Sequence, residues 1–216
     1  MLSDPKYQDG EPPAPQQQSD GIIISPDTLR AERVPPGQTR TKKWPVLDAF
    51  GPPRMPPLEK WELVVFGLVE RTLTYRWPQY QELPRVQVFA DFHCVTSWSR
   101  LGNIWEGVSI KHLLNEAGVK SEAKYVILHA YDDGWTTNLP LADFDQDDVL
   151  LADKHDGEPI DLEHGGPVRA MVPRLYAWKS AKWLRGIELS SHDKAGYWER
   201  GGYHMHGDPW IEERFR

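Results

Sequence analysis

Val86, Val88, Ala90 and Phe92 recur at every second position, and this alternation constrains the fold more than any other feature of the chain. A strand patterned this way lays one face on a core. It therefore needs a sheet beside it and a packed layer beneath it. Cys94 falls on the same face if the strand continues. It is the only cysteine, so no internal disulfide is available. The thiol is inert core, a nucleophile or a metal ligand. Its surroundings, ADFHCVTSWSRLGNIWEGV, put it next to His93 and near Trp98 and Trp105.

Charge and hydropathy exclude several partners. A net charge of −7 argues against nucleic acid or an anionic membrane. No segment approaches the ~20 apolar residues of a membrane span. No basic stretch followed by an apolar run opens the chain, so no signal peptide is recognisable, and a reducing, cytoplasmic location is the simplest expectation. Ten tryptophans point to a broad, partly wet concave surface as well as a core.

The chain divides into three parts. Residues 1–20, rich in Pro, Gln, Asp and Gly, are expected to be a disordered tail. Residues 21–57 are proline-dense with apolar anchors such as Trp44, Val46, Leu47 and Phe50, and read as an extended arm that packs on the domain. Residues 58–216 form the folded body. Strands are expected over Trp61–Val69, Val86–His93, Tyr125–Tyr131, Thr136–Leu139, Val149–Asp153, Val168–Val172 and Leu184–Leu189. Asp156-Gly157 marks a hairpin turn. A helix starts at Ser109 as N-cap, turns Ile110, Leu113, Leu114 and Ala117 to one face and stops at Gly118. Many strands and few helices give an α+β domain with mostly mixed or antiparallel sheet.

A second segment carries chemistry. Arg169, Arg174, Lys179, Lys182 and Arg185 lie within seventeen residues with no acid between them, in a chain that is acidic elsewhere. Arg with Lys in such a run suits an anion, phosphate especially, and Ser180 adds a hydroxyl. The alternative is a strand-and-turn face of snorkelling cations. His164-Gly165-Gly166-Pro167 just before it permits close backbone approach to a ligand. No G-x-S-x-G, G-x-G-x-x-G or Walker sequence occurs, which weakens serine-hydrolase, dinucleotide and nucleotide-hydrolysing readings. His204 and His206 with Asp208 could ligate a metal; the plainer reading is a tail that packs through Tyr197, Trp198, Tyr203 and Trp210.

Together DFHCVTSWS, IWEGV, TTNLPL, EHGGPVRAMVPRLYAWKSAKWLRGIE and the tail GYWERGGYHMHGDPWIEERF resemble the sulfite-oxidase-like molybdopterin oxidoreductases. The likeness is greatest to the compact bacterial and archaeal members without a haem domain, and it covers residues 43–216. It implies a molybdenum-dependent oxidoreductase that moves an oxygen atom and two electrons between water and a small substrate. It also implies one molybdenum–molybdopterin cofactor with Cys94 as catalytic metal ligand. By position, cofactor contacts are implied at His93, Cys94, His129, His164, Arg169, Ser180, Ala181 and Lys182, with the basic run holding the cofactor phosphate. No C-x-x-C-H haem motif is present, so electrons are expected to pass to an external carrier.

The chain departs from the haem-bearing members. They surround the metal with arginines, whereas Val95, Thr96, Ser97 and Trp98 follow Cys94 here and only Arg100 is close in sequence. Weak sulfite oxidation is therefore expected, with Trp98, Trp105 and Trp135 favouring a neutral S- or N-oxide. Two other classes stay open. One is a cysteine hydrolase using Cys94 with His93, His129 or His164. The other is a non-catalytic binding module that recruits partners through the arm.

Overall fold

The strand that begins at Arg85 does run on to Cys94. The computed structural model of the chain describes residues 21–216, and the tail expected over residues 1–20 lies outside the described residues. In chain order the strands are β1 (Ile22–Ile24), β2 (Thr39–Arg40), β3 (Glu62–Gly67), β4 (Leu73–Arg76), β5 (Arg85–Cys94) and β6 (Trp98–Ser109). They continue with β7 (Tyr125–Ala130), β8 (Thr136–Pro140), β9 (Leu150–His155), β10 (Glu158–Pro159), β11 (Arg169–Met171) and β12 (Leu184–Ser190). The α-helices are α1 (Trp77–Glu82), α2 (Ile110–Ala117), α3 (Leu141–Phe144) and α4 (Tyr197–Arg200).

The strands form two sheets. One has the order β1-β5-β6-β9-β10, with β2 on β6 and β11 on β9; the other has the order β4-β3-β12-β7-β8. Parallel and antiparallel pairs occur in both, and the helices are short. This is the α+β class expected from the sequence.

The alternating face of β5 lies where its pattern demands. Val88, Ala90 and Phe92 pack with Trp105, Leu150, Ala152 and Met171 in one core cluster. The period survives an irregularity between Ala90 and Phe92 because the extra residue sits on β6, where Gly102 turns through φ +69°. The opposite face of β5 is buried as well. The arm lines its edge, where β1 pairs parallel to β5 along Gln87 to Phe89, and covers part of this face, where Arg33 lies over Phe89 and meets Asp91 at 2.6 Å. Trp44, further along the arm, packs against the same core cluster.

The larger core lies on α2 and the inner faces of the five-stranded sheet, with Leu63, Val65, Val126, Leu128, Ile187 and Leu189 buried. In α2 the expected face of Ile110, Leu113, Leu114 and Ala117 is buried, and Gly118 ends the helix at φ +68°. Ser109 stands at the N-cap with extended backbone, but its hydroxyl makes no capping bond. The Asp156-Gly157 turn closes the β9–β10 hairpin with both residues at positive φ. The structure adds β4, β6, α1, α3 and α4 to the elements expected from the sequence.

Candidate active site

Cys94, Arg169, Ser180 and Lys182 line one cavity of about 200 Å³. Strand geometry sets the first, because the inward face of β5 ends there. Arg169 begins β11, which pairs with β9 through Ala152. Ser180 and Lys182 follow the 3-10 turn Ala177–Lys179 that leads into β12. The arm closes one side with Trp44, Leu47 and Asp48, and the C-terminal segment closes another with Trp198 and Tyr203.

Cys94 is 7% exposed, and burial pushes its thiol pKa up. Its Sγ accepts a hydrogen bond from Thr96 Oγ1 at 3.2 Å. No histidine hydrogen-bonds the thiol among the described residues, so the Cys–His pair of a thiol hydrolase is not formed.

The same cavity carries two cations. Arg169 is 2% exposed and has no carboxylate partner among the described residues. It donates to the carbonyls of His164 at 2.7 Å and Ser180 at 2.9 Å, and it lies over the rings of Trp44, Phe92 and Trp105. Burial alone lowers its pKa to about 9. A buried charge in this position is costly unless an anion reaches it. Lys182 faces the same space; burial and then the Arg169 charge lower its pKa to about 8. Its partners are the Glu163 carbonyl at 2.7 Å and Asp48 at a longer 3.7 Å. Ser180 Oγ accepts from the Val172 amide at 3.0 Å, which leaves its own hydrogen to donate.

The other positions expected to contact a cofactor are not gathered here. His93 neighbours Cys94 in sequence, so it points from the opposite face of β5. It is fully buried, its Nδ1 bonds Ser99 Oγ at 2.8 Å, and burial lowers its pKa to about 4. His129 pairs with Glu188 at 3.0 Å and lines a separate surface hollow with Phe66 and Arg185. His164 stands behind the cavity wall, its ring 4.0 Å from that of Trp44 and its nitrogens bonded to Asp161 and the Trp44 carbonyl. Ala181 is buried in the β11 junction, where its carbonyl accepts from Ala170 N–H at 2.9 Å. The His-Gly-Gly-Pro turn makes its close approach to protein: a Cβ on Gly165 would lie 2.7 Å from Lys182 Cβ.

Three more expectations change. Trp98 and Trp135 line the cavity, but Trp105 is wholly in the core. Trp198 and Tyr203, read from sequence only as packing residues, are wall residues. The His204/His206 segment is tied into the protein, with His206 bonded to Glu213 at 2.7 Å and Asp143 at 3.0 Å. No group of three or more His, Cys, Asp and Glu among the described residues is placed to hold a metal ion. A soft sulfur and two cations in one cavity suit a ligand with a thiophilic metal and a terminal anion.

Residues 50–198 match the oxidoreductase molybdopterin binding domain family. The chain belongs to this molybdopterin-binding oxidoreductase family. It is 51% identical to the uncharacterized oxidoreductase YuiH of Bacillus subtilis, over 85% of this chain and 92% of that protein. It is 25% identical to the putative protein-methionine-sulfoxide reductase subunit YedZ1 of Azospira oryzae, over 87% of this chain and 71% of the other. Among solved structures it matches the sulfane dehydrogenase SoxCD of Paracoccus pantotrophus with a TM-score of 0.59 and 26% identity, over 64% of this chain and 40% of that one. The chain is thus a molybdopterin-dependent oxidoreductase with a sulfite-oxidase-like fold. No helix among the described residues is long and apolar enough to cross a membrane.

Proposed function

We propose that this oxidoreductase reduces a small, neutral S- or N-oxide, with residues 58–216 as the cofactor-binding body and the arm at 21–57 completing the cavity wall. One observation carries the reading: an isolated buried thiol shares a cavity with a buried guanidinium that lacks a carboxylate. That donor set fits the family's cofactor. Cys94 would ligate molybdenum, and Arg169, Lys182 and the Ser180 hydroxyl would hold the terminal phosphate. When bound, the cofactor supplies a two-electron couple linked to transfer of an oxygen atom.

The remaining tasks fall to the chain's own side chains. Trp98, Trp135 and Trp198 offer indole walls that orient a substrate and exclude water. Tyr203 adds a phenol to the cavity wall, its pKa raised by burial and then by its proximity to Cys94, so it stays neutral and offers a hydrogen bond to the substrate oxygen. Reduction of the oxide consumes two electrons and two protons and releases water, with the electrons brought by an external carrier. Sulfite fits this cavity poorly, because a compact dianion needs cations that are not already committed. Arg100 is spent on Asp156 at 2.6 Å and Arg174 on Asp143 at 3.0 Å, and neither lines the cavity. Steady-state kinetics on molybdenum-loaded protein should give turnover of S- or N-oxides from a reduced artificial donor and weak sulfite oxidation. Efficient oxidation of micromolar sulfite would overturn the substrate assignment.

A further inference from the structure

The hairpin between β5 and β6 holds a hydroxyl against the sulfur of Cys94. Cys94 pairs with Trp98, which leaves Val95, Thr96 and Ser97 as a three-residue loop. The Ser97 amide donates to the Cys94 carbonyl at 3.0 Å, and Ser97 closes the loop at φ +69°. A turn followed by one left-handed residue is a favoured way to close a loop of this length. It folds Thr96 back over the strand end, where Oγ1 donates to Sγ at 3.2 Å. The amides of Val95 and Thr96 also turn to the sulfur. Two distant residues brace the loop. Gln38 Nε2 donates to the Cys94 carbonyl at 3.1 Å, and Arg214 donates to the Val95 carbonyl and to Ser97 Oγ.

We infer that Thr96 is a positioning residue that tunes the metal through the Cys94 sulfur. The inference rests on Cys94 being the metal ligand. A hydrogen bond to a ligating thiolate draws electron density from sulfur, weakens its donation and so favours the reduced metal. Thr96 is itself exposed, so changing its side chain leaves the core untouched. Val at this position keeps the shape and removes the hydroxyl, whereas Ser keeps the hydroxyl.

The test is a mediated redox titration of molybdenum-loaded protein, followed by paramagnetic resonance of the metal and by its sulfur-to-metal absorption band. Wild type, Thr96→Val, Thr96→Ala, Thr96→Ser and Cys94→Ser are compared at equal molybdenum content. Thr96→Val and Thr96→Ala should lower the midpoint potential and move the band to longer wavelength. Thr96→Ser should restore both, and Cys94→Ser should abolish the band. If the Val and Ala variants match wild type while Cys94→Ser differs, the role of Thr96 is wrong and the ligand assignment stands. If Cys94→Ser also matches wild type, the ligand assignment fails and the Thr96 inference falls with it.

Discussion

Around Cys94 a single buried sulfur is surrounded by a hydroxyl, amides and indole rings, whereas Arg169 and Lys182 face the same cavity with no carboxylate hydrogen-bonded to Arg169 and with Asp48 at 3.7 Å from Lys182. The contrast separates two jobs. Cations held mainly by carbonyls are costly to bury and are stabilised by a ligand that brings its own anion, so they anchor. The aromatic surroundings of Cys94 hold one nearby cation, Arg214, which is spent on the Val95 carbonyl, so that region reacts and selects.

The largest effect should come from removing the sulfur. Cys94→Ser should lower turnover by more than about 100-fold, beyond the usual 10–100-fold cost of losing a supporting contact around a metal. Pterin should stay bound, because Arg169 and Lys182 anchor it independently of the sulfur; loss of pterin together with activity would merge the two roles into one.

Arg169→Met attacks the anchor. A charge-assisted hydrogen bond is worth about 1.5–3 kcal/mol, so cofactor affinity should fall roughly 10- to 150-fold. The melting temperature of the cofactor-free variant should change less than that of the holo-protein, because the substitution also relieves a buried unpaired charge. Full cofactor retention on dilution would show that Arg169 does not hold the phosphate.

The smallest effect is a pH trend. Burial, and then the charge of Arg169, lower the Lys182 pKa from 10.5 to about 8. Between those values the unfolded chain binds a proton that the folded, cofactor-free chain has released. The contribution of Lys182 to stability therefore rises with pH across that window, its penalty being complete below about 8. Phosphate binding runs the other way, since it needs the ammonium, and should weaken as pH climbs through the same window. Melting curves and cofactor dissociation measured from about pH 7 to 10 check both trends, and Lys182→Gln should flatten them.

What the sequence made legible follows the same division. The Cys94 region was readable from period two alone, since a strand with Val88, Ala90 and Phe92 inward carries Cys94 inward too. The same rule turns His93 to the opposite face of β5. β6 escaped because Gly102 and the extra residue opposite Ala90 and Phe92 break its alternation. The basic run was legible as a charge excess but not as a set of partners. Only Arg169 and Lys182 reach the cavity. Arg174 goes to Asp143, Lys179 to Glu199 at 2.6 Å, and Arg185 to the face of Tyr131, all partners far away in sequence. Trp198 and Tyr203 reach the wall only because the C-terminal segment folds back over the hairpin, which no local pattern encodes.

Diffraction from crystals of the molybdenum-loaded protein, recorded across the molybdenum absorption edge, tests the two-role account most directly. The account expects one anomalous peak bonded to Cys94 Sγ and a phosphate held by Arg169 and Lys182. A molybdenum peak away from Cys94, or a phosphate that leaves Arg169 without an anion, would contradict it.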